Sequence, residues 1–134
     1  MSTHQKSLGK WGEALAADYL IQHGYLIVER NVHTPYGEID LVAMQPVTSL
    51  DFCENQQSAD MLVFVEVKTR TSLTYGYPEE SVTIEKQAHL LAAAQHYLQQ
   101  HPELECSWRM DVISIWHSSE SRKTQIRHFE NAFR

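Results

Sequence analysis

The stretch Met61 to Thr69 constrains this chain more than any other. Val63, Val65 and Val67 alternate there with Phe64, Glu66 and Lys68. As a strand, it is wholly aliphatic on one side, while its other side starts apolar and ends charged. Such a strand belongs in the middle of a sheet covered on both faces. The remaining periodicities arrange themselves around it. Leu8, Trp11, Leu15 and Tyr19 recur at helical spacing over Ser7 to His23, with good helix formers at Ala14, Ala16 and Ala17 and a stop at Gly24. Tyr25 to Val32 and Glu38 to Met44 read as strands, with a turn at Thr34-Pro35-Tyr36-Gly37 between them. Arg70 to Ser81, with Thr71, Ser72, Gly76 and Pro78, reads as a loop. A second helix is predicted from an N-cap at Thr83 to about Gln100. Its stripe is Ile84, Ala88, Leu91 and Leu98, widened by Leu90, Ala94 and Tyr97. Trp108 to Trp116 alternates as a strand, and Thr124 to Phe129 reads as a weaker one at an edge. The order is α-β-β-β-α-β with an extra C-terminal edge strand. This is a mixed α/β sheet with helices on its faces, the long helix serving as a crossover and the middle strands as a meander.

With 134 residues and 43% hydrophobic content, residues 1–134 suit a single domain, and Gln45 to Asp60 reads as a loop within it. No apolar run approaches the ~20 residues of a membrane span, and Met1 to Lys10 lacks the pattern of a secretory signal. Cys53 and Cys106 fit no paired spacing and read as reduced thiols in a cytoplasm. The net charge of −6 argues against non-specific coating of nucleic acid, yet leaves room for a local basic patch or a bridging cation. The eight histidines form no ligand set; His89 and His96, two turns apart on one helix, are too distant to share zinc. No Gly-rich phosphate loop, GxSxG or catalytic Cys–His context is present.

Chemistry therefore falls to charges that interrupt apolar strands. Asp40 breaks Ile39-Asp40-Leu41-Val42-Ala43, and Glu66 and Lys68 leave the same face of one strand. If those strands are neighbours, Asp40 lies opposite the other two. Two carboxylates brought together repel, and a shared divalent cation relieves them. An oxygen-only set suits Mg²⁺ or Mn²⁺, with Lys68 orienting a water or stabilising phosphate charge. The triplet itself carries no weight. With 17 acidic residues and 5 lysines, about 0.6 acidic-x-Lys triplets are expected by chance. A strand-end salt bridge of Lys68 with Glu66 or Asp40 explains it equally well. Glu13, among Gly9, Gly12, Ala16 and Ala17, either points at the carboxylate pair or is solvated. Lys86, poorly placed for the helix dipole, either reaches a phosphate or is exposed. Asp111 pairs with Arg109 or ends near the site, the structural role being favoured. Arg70, Tyr75 and Tyr77 either line a nucleic-acid strand or form a polar loop.

These residues resemble a known family. Gly9-Lys10-Trp11-Gly12-Glu13-Ala14, Gly37-Glu38-Ile39-Asp40-Leu41-Val42-Ala43, Phe64-Val65-Glu66-Val67-Lys68-Thr69-Arg70 and Tyr75-Gly76-Tyr77-Pro78 look like successive signature blocks of the bacterial YraN family. Lys86, Tyr97-Leu98, Arg109-Met110-Asp111-Val112 and Asn131-Ala132-Phe133 continue the match over nearly the whole chain. That family is similar to archaeal Holliday junction resolvases and to the restriction-endonuclease-like PD-(D/E)XK nucleases, whose core order is α-β-β-β-α-β. The resemblance implies that Asp40 and Glu66 are metal ligands, Lys68 the catalytic lysine, and Glu13 the first-helix glutamate of the resolvase-like branch. Ile39 stands where the motif name has proline. Gln45 to Asp60 looks longer than the usual loop there, which would alter substrate access.

The expectation is a Mg²⁺- or Mn²⁺-dependent endonuclease acting on structured DNA. Catalysis would fall to Asp40, Glu66, Lys68 and Glu13, the metal to Asp40, Glu66 and Glu13, and nucleic-acid contacts to Arg70, Tyr75 and Lys86. A homodimer would cut two strands of a junction. The rivals are a nucleic-acid-binding module with little turnover and an interaction protein whose charges form a salt-bridge network.

Overall fold

The structure is a computed structural model that describes residues 3–46, 60–72 and 76–133, with side chains from residue 7 onward. In chain order its elements are α1 (Thr3–Gln22), β1 (Leu26–Thr34), β2 (Gly37–Gln45), β3 (Met61–Arg70), a 3₁₀ turn at Pro78–Ser81, α2 (Ile84–Gln100), β4 (Ser107–His117) and β5 (Thr124–Phe133). They form a five-stranded mixed sheet in the order β1-β2-β3-β4-β5, with β3 at the centre as its alternation demands. The β1–β2, β2–β3 and β4–β5 pairs are antiparallel. Among the described residues only β3–β4 is parallel, with Met61 opposite Ser107 and Lys68 opposite Ser114. That pairing requires a crossover, which α2 supplies. The last strand runs four residues further than its sequence pattern predicts, past a register shift between Met110 and Val112.

A helix covers each face. Under α1 lie Val63, Val65 and Val67 with Leu41, Ala43, Ile113 and Ile115. Under α2 lie Leu62 and Phe64 with Val42, Met110 and Val112. The helix stripes match those predicted only in part: on α2 Leu90, Ala94 and Tyr97 are buried as expected and Leu91 and Leu98 pack at the margin of the core, while Ile84 and Ala88 do not. Along α1 the buried positions are Gly12, Ala16, Ala17 and Leu20, while Trp11 is 40% exposed and Leu15 and Tyr19 only border the core. The reason is close approach, because a Cβ on Gly12 would overlap Thr69 Oγ1. Small residues let the helix sit on β3, and larger ones are pushed to its flanks. On α2 the buried stripe is Leu90, Ala93, Ala94 and Tyr97. Ala88 is exposed and Ile84 is 84% exposed, because the first turn of α2 lies beside the charged end of β3 rather than over its apolar part.

Two punctuation marks behave as predicted. Gly24 takes φ +88° after α1, a left-handed conformation open to glycine at little cost. Thr83 caps α2, its Oγ1 accepting the Lys86 N–H at 3.2 Å.

Candidate active site

The site lies where β2 and β3 part. Their ladder runs from Gln45↔Met61 to Leu41↔Val65 and goes no further. Beyond that last pair the Asp40 side chain replaces the ladder, and its Oδ2 accepts the Val67 N–H at 2.8 Å. This places Asp40 beside Glu66 and Val67, where the two strands diverge. The Asp40 carboxyl hydrogen-bonds to Glu66 and to Glu13, which α1 brings in next to Gly12. Burial, reinforced by the charges of Glu66 and Glu13, pushes Asp40 up to about 8 despite the Val67 N–H. Glu13 is also raised, chiefly by burial and against the hydrogen bond to Asp40.

Two lysines answer Glu66, itself buried in the sheet. Lys68 Nζ lies 3.3 Å and Lys86 Nζ 3.0 Å from Glu66 Oε1. Lys68 is lowered, first by burial and then by the neighbouring Lys86, with Glu66 opposing. Lys86 is raised: burial acts against its charge, but contact with Lys68 and the charge of Glu66 outweigh it. An exposed lysine is therefore the wrong description of Lys86, since the first turn of α2 carries it onto a carboxylate.

The predicted residues thus separate into groups. Glu13, Asp40, Glu66, Lys68 and Lys86 converge. Arg70 continues the Glu66–Lys68 face and is exposed at the end of β3. Tyr75 lies outside the described residues, as do Cys53 and most of the Gln45–Asp60 loop. That loop's anchors, Gln45 and Met61, pair with each other at the far end of the ladder. Five residues at ~3.4 Å each set them about 17 Å from Asp40. Tyr77 is 44% exposed, with the Arg127 guanidinium, which pairs with Glu79 at 2.7 Å, lying 5.1 Å from its ring centroid.

Asp111 belongs elsewhere. It faces α1, accepting from Arg109 Nε at 2.9 Å and from the Asn131 N–H at 2.9 Å, with His128 Nε2 at 2.7 Å. Arg109 also donates to Tyr25 Oη and Gln45 Oε1. Burial alone would raise Asp111, but the bonds from His128, Arg109 and Asn131 hold its carboxyl below its ordinary range. The Arg109 partnership was legible in sequence; His128 was not, because the β4–β5 register decides it.

Among the described residues, no three His, Cys, Asp or Glu side chains close into a ready-made metal cage. The donor chemistry nevertheless fits a hard cation that keeps most of its water. One or two carboxylates are what Mg²⁺ uses, and Asp40 faces further carboxyls that a dication would relieve.

A cavity next to this cluster was not anticipated. It has about 340 Å³ and lies between the β1–β2 turn and the start of α2, with Lys86 on its wall. The one sequence signal for it is Tyr36, a large aromatic in a tight turn.

Residues 12–115 match the uncharacterised protein family UPF0102. A UPF0102 protein of Syntrophomonas wolfei is 47% identical over 128 residues, covering 96% of this chain and 98% of its own. One from Geobacter metallireducens is 45% identical over 133 residues, covering 99% and 97%. One from Clostridium perfringens is 34% identical over 134 residues, covering 100% and 99%. The family resemblance drawn from the four sequence blocks holds: the chain belongs to the UPF0102 family.

Proposed function

We propose that this chain is a metal-dependent endonuclease of the restriction-endonuclease-like type, similar to Holliday junction resolvases, that hydrolyses phosphodiester bonds in structured, branched DNA. One observation carries the reading. Asp40, Glu66 and Glu13, from three separate segments, meet beside the Lys68 amine at the point where two strands diverge. A structural salt bridge has no need of three clustered carboxyls, and once they ionise together in a partly buried site the repulsion between them is costly unless a cation is shared.

In this reading Asp40 and Glu66 hold Mg²⁺ or Mn²⁺, with Glu13 assisting. When bound, the ion supplies a Lewis acid for a phosphoryl oxygen. Lys68, its charge weakened by burial and by Lys86, handles the proton of the attacking water and orients it. Lys86 stands ready for a phosphate oxygen once Glu66 has another partner, and Arg70 offers charge along the same face. A homodimer would set two such sites against two strands.

A second reading has an observation of its own. Glu66 already has two ammonium partners, which favours a nucleic-acid-binding module with little turnover. The test is cleavage of branched, nicked and single-stranded DNA, and of RNA, with Mg²⁺ and with Mn²⁺. The nuclease reading requires product from the wild type and none from Asp40→Ala. Binding that survives Asp40→Ala and Lys68→Ala, with no wild-type product, selects the module.

A further inference from the structure

We infer that the cavity beside the acidic cluster is a nucleobase pocket, which takes one unpaired base of the strand whose phosphodiester lies at Asp40 and Glu66. The inference rests on the nuclease reading for its substrate. The cavity, about 340 Å³, is walled by Tyr36 and Glu38 on one side and by Thr83, Glu85, Lys86 and His89 on the other. That size is at the lower end of small-ligand sites. It adjoins the cluster directly, because Lys86 both lines it and touches Glu66 at 3.0 Å, and because Glu38 is two residues from Asp40.

Tyr36 is held as a platform. The Tyr36 N–H donates to Thr34 Oγ1 at 3.1 Å, and that hydroxyl donates to the Gly37 carbonyl at 2.7 Å. The Tyr36 ring is 55% exposed and leans edge-on against His96, centroids 6.1 Å apart. A large aromatic left open in a pinned turn is the element on which bases stack. The rest of the lining selects the ligand's class. Glu38 and Glu85 repel a phosphate, so the backbone is met by Lys86 at the boundary. Carboxylates do accept from exocyclic amines, as cytosine N4 shows. His33 Nδ1 lies 3.0 Å from Glu38 Oε1 and steadies that acceptor. Adenine, cytosine and guanine carry such an amine and thymine does not, so the pocket prefers the first three. A continuous duplex offers no base to it, which assigns branch points and bulges as the substrate class.

The test uses the full chain with Ca²⁺ in place of Mg²⁺, and duplexes identical but for one unpaired 2-aminopurine or one unpaired thymine. The expected result is quenching of 2-aminopurine on binding, weaker affinity for the thymine duplex, and a loss of about fivefold to a hundredfold in Tyr36→Ala, the range base–aromatic stacking supports. Tyr36→Phe should restore it. Equal binding by wild type and Tyr36→Ala, or no quenching, overturns the pocket. Cleavage of the same duplexes with Mg²⁺ separates the two readings. Cutting with unchanged preference in Tyr36→Ala leaves the nuclease and removes the pocket. Tyr36-dependent quenching without any cutting leaves the pocket and removes the nuclease. No binding to any duplex removes both.

Discussion

Replacing Asp40 by asparagine should stabilise the metal-free protein at neutral and alkaline pH. Asp40 titrates near 8 in the folded chain against 3.8 for an ordinary aspartate. Between those values the unfolded chain gives up a proton that the folded chain keeps, so stability falls as pH rises. The contribution is complete below pH 4 and gone above pH 8. The shift of about 4 units, at 1.36 kcal/mol each, sets an upper bound of roughly 6 kcal/mol. Water penetration and relaxation around a half-buried carboxyl reduce this to about 2–4 kcal/mol. Asparagine mimics the protonated acid, since its carbonyl can still accept the Val67 N–H and its amide can donate to Glu66. Asp40→Asn should therefore flatten the stability profile and gain about 2–4 kcal/mol at pH 8, which for this chain length is roughly 3–5 °C per kcal/mol. The assay is urea and thermal unfolding in EDTA from pH 4 to pH 9. An Asp40→Asn protein that is less stable than wild type at pH 8, or that keeps the wild-type slope, refutes the crowded-carboxyl picture.

Mn²⁺ should raise the melting temperature of the wild type and leave Asp40→Asn unmoved, as ligand linkage requires; equal shifts in both would place the ion elsewhere. Lys68→Ala should lower cleavage at least about 100-fold, the cost of losing one electrostatic or proton-handling group, with a melting temperature near wild type. Asp111→Ala strands Arg109 in the interior and should cost about 3–5 kcal/mol. The loss should appear above the ordinary carboxylate range and shrink in acid, because the depressed Asp111 stabilises only while ionised. Gly12→Ala should cost about 1–3 kcal/mol through the clash with Thr69. Gly12→Ala with Thr69→Ala should recover most of it, and additive losses in urea unfolding would count against the contact.

The central strand was readable because its alternation is one-dimensional information: Val63, Val65 and Val67 against Phe64, Glu66 and Lys68 leave no other place in a sheet. The α2 cap at Thr83 and the stop at Gly24 were readable for the same reason, each being a local demand of the backbone. The helix stripes were harder. Trp11 and Ile84 look like core residues by hydrophobicity, but α1 packs by its smallest residues and the first turn of α2 lies beside charge. In the site, the spacing of Glu66 and Lys68 put both on one face, while the approach of Asp40 depended on which strands pair. Lys86 turned inward because of where α2 starts, and His128 met Asp111 across a register that no sequence pattern fixes. Pair contacts between elements are tertiary facts, and the pocket at Tyr36 is another.

The cluster draws on α1, β2, β3 and α2, and Glu13 and Lys86 stand 73 positions apart, from 13 to 86. The parallel pairing of β3 with β4 must also wait for the crossover between them, a loop closure with a large entropic cost. A chain still emerging from the ribosome can form the first hairpin but cannot assemble the charged centre. Whatever reactivity that centre has is therefore withheld until α2 and β4 have followed the hairpin, and folding itself acts as the safety catch.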